Sequence, residues 1–239
     1  MGSLLIVRHA QASFLADNYD RLSAIGEAQS RVLGESWAAR NLLFDRIFAG
    51  PRVRHTDTVK FVSLAYQNFG RDFPAAEVLP EFDEYPAEAV LEHGIPILLE
   101  TDQRVRDLHA AFLHAVEADE RRAAFQRFYE VVVMEWVRGA LPVKNVETWL
   151  EFCSRVNEGI DKVLSASGRA KRVAIFTSGG PTAVALQRAL HISPERTMQS
   201  SWMSRNSSWS EFLFSGTKFT LSSFNCYGHI TEPAHLTYR

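Results

Sequence analysis

Residues 4–13 read LLIVRHAQAS. An aliphatic run this short, closed by polar residues, predicts a buried strand over residues 3–8 rather than a helix. It ends in Arg8 and His9, a fixed cation beside a titratable imidazole. Similar runs recur at DRIFAG (45–50) and RVAIFT (172–177), each followed by a stretch of helical period. That alternation predicts an α/β fold with a mainly parallel sheet.

Working outward, Ser23 is placed to cap a helix whose apolar positions Ile25, Ala28, Val32 and Leu33 share one face. It should end near Asn41. Residues 52–69 read as helical, and SGGPTAVALQRAL (178–190) as a turn and helix with Pro181 in the first turn, where a missing N–H costs nothing. WSEFLFSG (209–216) and KFTLSSFN (218–225) predict two strands around a Ser-Gly turn. Between Pro86 and Gly139 long helical stretches predict a helical insertion, about 87–145, lying over one end of the sheet in an otherwise single domain over 1–239. There is no internal repeat, glycine-rich nucleotide fingerprint or P-loop.

Composition narrows the function classes. The chain has 239 residues, 46% of them hydrophobic, and a formal charge of −2, so nothing in the totals favours a nucleic-acid or membrane surface. Cys153 and Cys226 lie far apart without metal-type spacing, which fits a reducing, cytoplasmic setting. The first apolar run stops at Arg8, too early for a secretory signal, and MGSLLI lacks the Ser or Thr at residue 6 of a myristoylation signal. No segment reaches the ~20 apolar residues that span a bilayer.

In a parallel α/β sheet, ligands bind beyond the carboxyl ends of the strands. Arg8 and His9 end the first strand, Arg52 and Arg54 follow the second, and Ser178, Gly179 and Gly180 follow the third. Arginine forks match phosphate oxygens, and the amides of a helix start add partial positive charge. A neutral histidine can attack phosphorus when its other nitrogen is held by a hydrogen bond. The set suits a phosphate group, free or on a small molecule.

These segments resemble the histidine phosphatase superfamily, which includes the cofactor-dependent phosphoglycerate mutases and many small phosphatases. VRHAQAS (7–13) is similar to its Arg-His-Gly signature, LSAIGEAQSRVLGESW (22–37) to its Leu-Thr-x-x-Gly-x-x-Gln-Ala segment, and AGPRVRHTDTV (49–59) to its Ser-Pro-x-x-Arg-Ala-x-x-Thr-Ala segment. PEFDEYP (80–86) resembles the Leu-x-Glu element, and VAIFTSGGPTAVAL (173–186) the strand, His-Gly-Gly turn and helix. The resemblance implies a three-layer α/β/α sandwich of phosphoglycerate mutase type. It implies that His9 is the nucleophile, that Arg8 and Arg54 clamp the phosphoryl group with help from Ser178 and Gly179, and that Glu84, or Glu81 in the other register, is the acid. Neither a cofactor nor a metal is called for.

The departures matter too. Ala10 stands where the family has glycine, and Ser178 where it has its second histidine. Loss of one such donor costs about 3–4 kcal/mol of transition-state stabilisation. Ser178 reads equally as a helix cap or turn residue and as a ligand contact. A serine nucleophile is disfavoured, because Phe176 occupies the first glycine position of a Gly-x-Ser-x-Gly elbow. His55 and His229 could supply the missing imidazole, but read as surface or packing residues, and Arg52 as solvated. The remaining histidines lack metal-ligand spacing with carboxylates, and the aromatics of 125–152 read as core or lid packing. The leading expectation is a metal-independent phosphomonoesterase acting through a phosphohistidine on His9. The alternatives are a phosphate-binding or regulatory protein with weakened or lost turnover and, third, a phosphomutase.

Overall fold

A computed structural model describes residues 1–13, 20–142, 144–168 and 171–238. Its strands and helices are β1 (Gly2–Arg8), α1 (Ala24–Ala39), β2 (Arg46–Ala49), α2 (Val53–Asn68), β3 (Ala76–Val78), α3 (Ala87–Thr101), α4 (Gln103–His114), α5 (Ala118–Val137), α6 (Trp149–Ser167), β4 (Arg172–Thr177), α7 (Gly179–Leu190), α8 (Pro194–Met203), β5 (Trp209–Ser215) and β6 (Lys218–Cys226). The elements anticipated around LLIVRHAQAS are present. Ser23 caps α1 by accepting from the Gly26 N–H at 3.1 Å. The short β3 and helix α8 were not anticipated.

The six strands form one sheet in the order β3-β2-β4-β1-β5-β6. The first four are parallel, and β5 and β6 form an antiparallel edge. Every residue of β1 is buried, as a central strand covered on both faces requires. Leu5 and Val7, with Ala174 and Phe176 of β4 and Ile47 and Ala49 of β2, pack on Leu33 and Trp37 of α1 and Val62 and Tyr66 of α2. The alternate residues Leu4, Ile6, Val173 and Ile175 are buried on the opposite face. There α7 packs on β1 and β6.

The chain divides into two compact units, Met1–Glu84 with Ser154–Arg239, and Tyr85–Cys153. The first holds the sheet. The second is built on α3, α4, α5 and the start of α6. Its interior is aromatic: Tyr85 stacks on Trp136 at 5.6 Å between ring centroids, and Trp149 and Phe152 pack against the same indole. The Tyr85 and Tyr129 hydroxyls share a 2.6 Å hydrogen bond. Among the described residues no helix is long and apolar enough to cross a membrane.

Helices α1 and α2 meet closely at Gly34, where an added Cβ would lie 2.7 Å from both the Ala65 Cβ and the Val62 carbonyl oxygen. Alanine for glycine inside a helix ordinarily stabilises by about 1 kcal/mol. At this contact the sign reverses. Gly34→Ala is expected to destabilise the protein by about 1–3 kcal/mol in urea denaturation, as overpacking does.

Candidate active site

The parallel register pairs Arg8 with Thr177, so the residues that follow β1 and β4 emerge side by side. The His9 N–H donates to the Thr177 carbonyl at 2.7 Å. The His9 side chain is buried, its Nδ1 2.8 Å from the Ala10 carbonyl and its Nε2 3.2 Å from Nε of Arg54. A guanidinium can only donate, so Nε2 is the acceptor and Nδ1 carries the proton toward Ala10. Burial first, then the nearby Arg54, Arg8 and His55, hold the His9 pKa well below the ordinary histidine value. The ring is therefore neutral, with its lone pair on Nε2.

Arg54 is oriented from its other side by Asp20, whose carboxylate accepts from Arg54 at 2.7 Å and from the Val53 N–H at 2.8 Å. Asp20 thus joins the start of α2 to the cation that α2 presents. The Arg8 guanidinium is buried and donates to the Ser204 carbonyl. It lies beside Gly179, where an added Cβ would stand 3.8 Å from Arg8 Nε and 3.1 Å from the Ser201 carbonyl oxygen. Arg8 and Gly179 are thus brought together.

Ser178 occupies the cap position of α7, but its side chain makes no capping hydrogen bond. Its Oγ is instead 2.7 Å from Nε2 of His55. Both residues have 0% exposure, and the His55 ring centroid lies 5.7 Å from that of His9. Of the two expectations for His55, surface and packing, the surface one is excluded: the ring is buried and bonded to Ser178. Burial, then Arg54 and Arg52, lower its pKa well below the usual value. His229 is also buried, yet its Nε2 meets Ser207 at 3.2 Å, and burial moves its pKa down to about 4.

The acidic loop separates its carboxylates. Glu84 accepts from the Gly180 N–H at 3.3 Å, at the start of α7. Glu81 pairs with Lys162 on α6 at 3.2 Å. The two registers therefore differ in place, with Glu84 beside Ser178 and Gly179. Arg155 donates to the Glu81 and Asp83 carbonyls at 2.9 and 3.2 Å and fastens the loop. Arg52 is 2.5 Å from Asp83, whose same oxygen accepts from the Glu84 N–H at 2.8 Å. The expectation of a solvated Arg52 is corrected to a half-exposed ion pair that supports the backbone of Glu84.

The segment after His9 is braced by the motif at 22–37. The Gln11 N–H donates to the Gln29 side-chain oxygen at 2.8 Å, and Ser23 donates to the Gln11 side chain at 2.7 Å. At Gly26 an added Cβ would sit 2.1 Å from the Gln11 carbonyl oxygen, so only glycine lets α1 approach. The Ala10 methyl packs with Leu22 and Phe61 and fills a small apolar site. Among the described residues no cluster of three His, Cys, Asp or Glu is placed to hold a metal ion.

A family model described as the histidine phosphatase superfamily (branch 1) matches residues 84–227, more than half of the chain. The chain belongs to the histidine phosphatase superfamily. The matched region contains Glu84 and Ser178, while Arg8, His9 and Arg54 precede it. No curated protein gives a significant match to the sequence. Solved structures share the histidine phosphatase fold over nearly the whole chain. The alpha-ribazole phosphatase of Shigella flexneri has 18% identity and a TM-score of 0.60, covering 96% of this chain and 99% of that one. A phosphoserine phosphatase of Entamoeba histolytica, solved with 3-phosphoglyceric acid, has 14% identity and a TM-score of 0.62, covering 96% and 99%. A phosphoglycerate mutase of Bacillus anthracis has 16% identity and a TM-score of 0.61, covering 95% and 94%. At these identities the likeness is one of fold.

Sequence reasoning missed Asp20 and the His55–Ser178 contact. Asp20 carries no spacing signal, because its partner lies on another helix. His55 was visible only as an imidazole next to a candidate phosphate ligand.

Buried neutral histidines make stability depend on pH. In the unfolded chain each imidazole titrates near 6.5. The folded values of His9, His55 and His229 lie below that, so the unfolded state binds more protons as pH falls through 6.5. Stability is therefore full above that value and declines toward the folded pKa values, about 4 for His229. His229 should withdraw about 2 kcal/mol between pH 7 and pH 5, and His9 and His55 should add to the loss in the same direction. Guanidinium denaturation at the two pH values measures this, and a flat profile would contradict neutral burial.

Proposed function

We propose that the protein is a phosphomonoester hydrolase that works without a metal through a phosphohistidine on His9. The observation that supports this best is the state of His9: neutral, its Nδ1 held on the Ala10 carbonyl and its Nε2 lone pair directed at a guanidinium 3.2 Å away. A phosphoryl group that takes the place of the Arg54 Nε–H at the Nε2 lone pair meets the nucleophile there, with Arg54 beside its oxygens as a clamp. Arg8, Gly179 and Ser178 supply the remaining contacts, and Asp20 keeps Arg54 aimed.

In the first step the Nε2 lone pair forms the N–P bond as the ester P–O bond breaks. The departing oxygen keeps the electron pair and takes a proton from Glu84. In the second, water attacks phosphorus, the N–P electrons return to Nε2, and Glu84 recovers a proton from the water. The net change is phosphomonoester plus water to alcohol plus phosphate. Arg8 and Arg54 stabilise the charge that builds on the equatorial oxygens. The substrate class is a phosphorylated small molecule.

A second reading is a phosphate-binding protein of low turnover. The hydroxyl of Ser178, a neutral donor where the family pattern has an imidazole, favours it. The two separate by chemistry. Incubation with an aryl phosphate should release the phenol and leave acid-labile, base-stable phosphate on the protein, and His9→Ala should remove both. Thermal stabilisation by phosphate with no label and no hydrolysis would replace the enzyme reading with the binding one. Arg54→Ala should lower kcat by about 100- to 1,000-fold, the cost of one transition-state donor; a smaller steady-state effect than tenfold would remove Arg54 from the clamp.

A further inference from the structure

The first turn of α2 serves two strand ends with consecutive residues. Arg54 reaches His9 at the end of β1, at 3.2 Å, and His55 reaches Ser178 at the end of β4, at 2.7 Å. Ser178 is placed to cap α7 but does not, so its hydroxyl is diverted from the role its position favours. Both partners are fully buried, and the His55 ring is 5.7 Å from that of His9. A hydroxyl has one proton and two lone pairs. The pair has two directions: a ring proton on Nδ1, toward the Gly50 backbone, makes Nε2 the acceptor of the Ser178 O–H, whereas a proton on Nε2 donates to Oγ and leaves the Ser178 O–H to point elsewhere.

We propose that His55 is a positioning residue of the phosphoryl site, holding Ser178 so that its O–H donates to an oxygen of the phosphoryl group at His9. The inference rests on the reading of His9 as phosphoryl acceptor. Two features favour it over simple packing. A buried imidazole with a capping serine beside it would stabilise α7 better if the serine bonded the helix amides, yet the hydroxyl turns to the ring. Moreover, the quoted motifs have Ala after the second arginine and His before Gly-Gly, while this chain has His55 and Ser178. Compared with those motifs the imidazole stands at the start of α2 instead of after β4, and the pair of residues differs in side-chain volume by one oxygen atom. Gly50 makes room for it, since an added Cβ there would lie 2.4 Å from His55 Nδ1.

The test is a mutant cycle on aryl phosphate hydrolysis and His9 labelling. His55→Ala and Ser178→Ala should each lower kcat by about 10- to 100-fold with KM changed less than about threefold. The double variant should be no slower than the slower single, because the two residues form one donor. His55→Gln, which keeps an N–H near the Nε2 position, should retain most of the rate, and His55→Ala combined with Ser178→His should recover at least about tenfold over His55→Ala alone. Multiplicative losses in the double variant, or a His55→Ala protein that turns over at the parental rate with only a lower Tm, would overturn the proposal. Should His55→Ala fail to fold, Ser178→Ala and His55→Gln carry the same comparison.

Orthovanadate separates this inference from the reading beneath it. If the parental protein neither hydrolyses nor labels, the reading of His9 has failed. Vanadate binding still decides the pair: about tenfold weaker binding by both His55→Ala and Ser178→Ala supports it. Equal binding by all three proteins rejects it.

Discussion

The site depends on one backbone contact, the 2.7 Å hydrogen bond from the His9 N–H to the Thr177 carbonyl. It continues the parallel ladder of β1 and β4 one residue past the strand and puts His9 level with Ser178. On the other side of β4, the Gly50 N–H donates to the Phe176 carbonyl at 2.9 Å and delivers the start of α2 to the same edge. Three neighbouring strands therefore end together. A one-residue slip in any of them would turn its alternating side chains to the other face.

Burial then governs the chemistry. Arg8 and Arg54 are buried cations, and a desolvated charge is tolerated only when hydrogen-bonded or paired. Asp20 answers Arg54, and the Ser204 carbonyl answers Arg8. Burial first, and then the guanidinium groups of Arg54 and Arg8 at His9 and of Arg54 and Arg52 at His55, keep both imidazoles neutral: adding a further positive charge there is costly. Positive potential and a neutral imidazole are thus produced by one arrangement. In the proposed mechanism that potential would draw in a phosphoryl group, which takes the place of the Arg54 N–H at the His9 lone pair.

Much of this was legible in the sequence because it rests on local pattern. Aliphatic runs gave the buried strands, Ser23 the start of α1, and Pro181 the first turn of α7, each by a physical preference that acts within a few residues. The choice between Glu81 and Glu84 was not legible. The 3-10 turn over Pro80–Phe82 sets which carboxylate faces α7, and the holding groups, Arg155 and Lys162, come from a helix far along the chain. The contact that His55 makes was not legible for a geometric reason. Successive helix residues diverge by about 100°, which sends them apart on an exposed helix. On a first turn wedged between two strand ends, that divergence sends one to each.

An imidazole on α2 instead of directly after β4 has an electrostatic consequence in the proposed mechanism. A cation about 3 Å from a phosphoryl oxygen interacts with it by about 5–6 kcal/mol at an effective dielectric of about 20, and one twice as far by about half that. An imidazole acting through Ser178 stands a hydroxyl further from the phosphate and, while neutral, contributes direction rather than charge. In the proposed mechanism the cationic stabilisation then falls, among the described residues, to Arg8 and Arg54. Esters whose leaving oxygen develops little charge in the transition state depend least on a further cation. On that reading the contacts of Arg54 with His9 and Asp20 would matter more in this chain than where a second histidine shares the load.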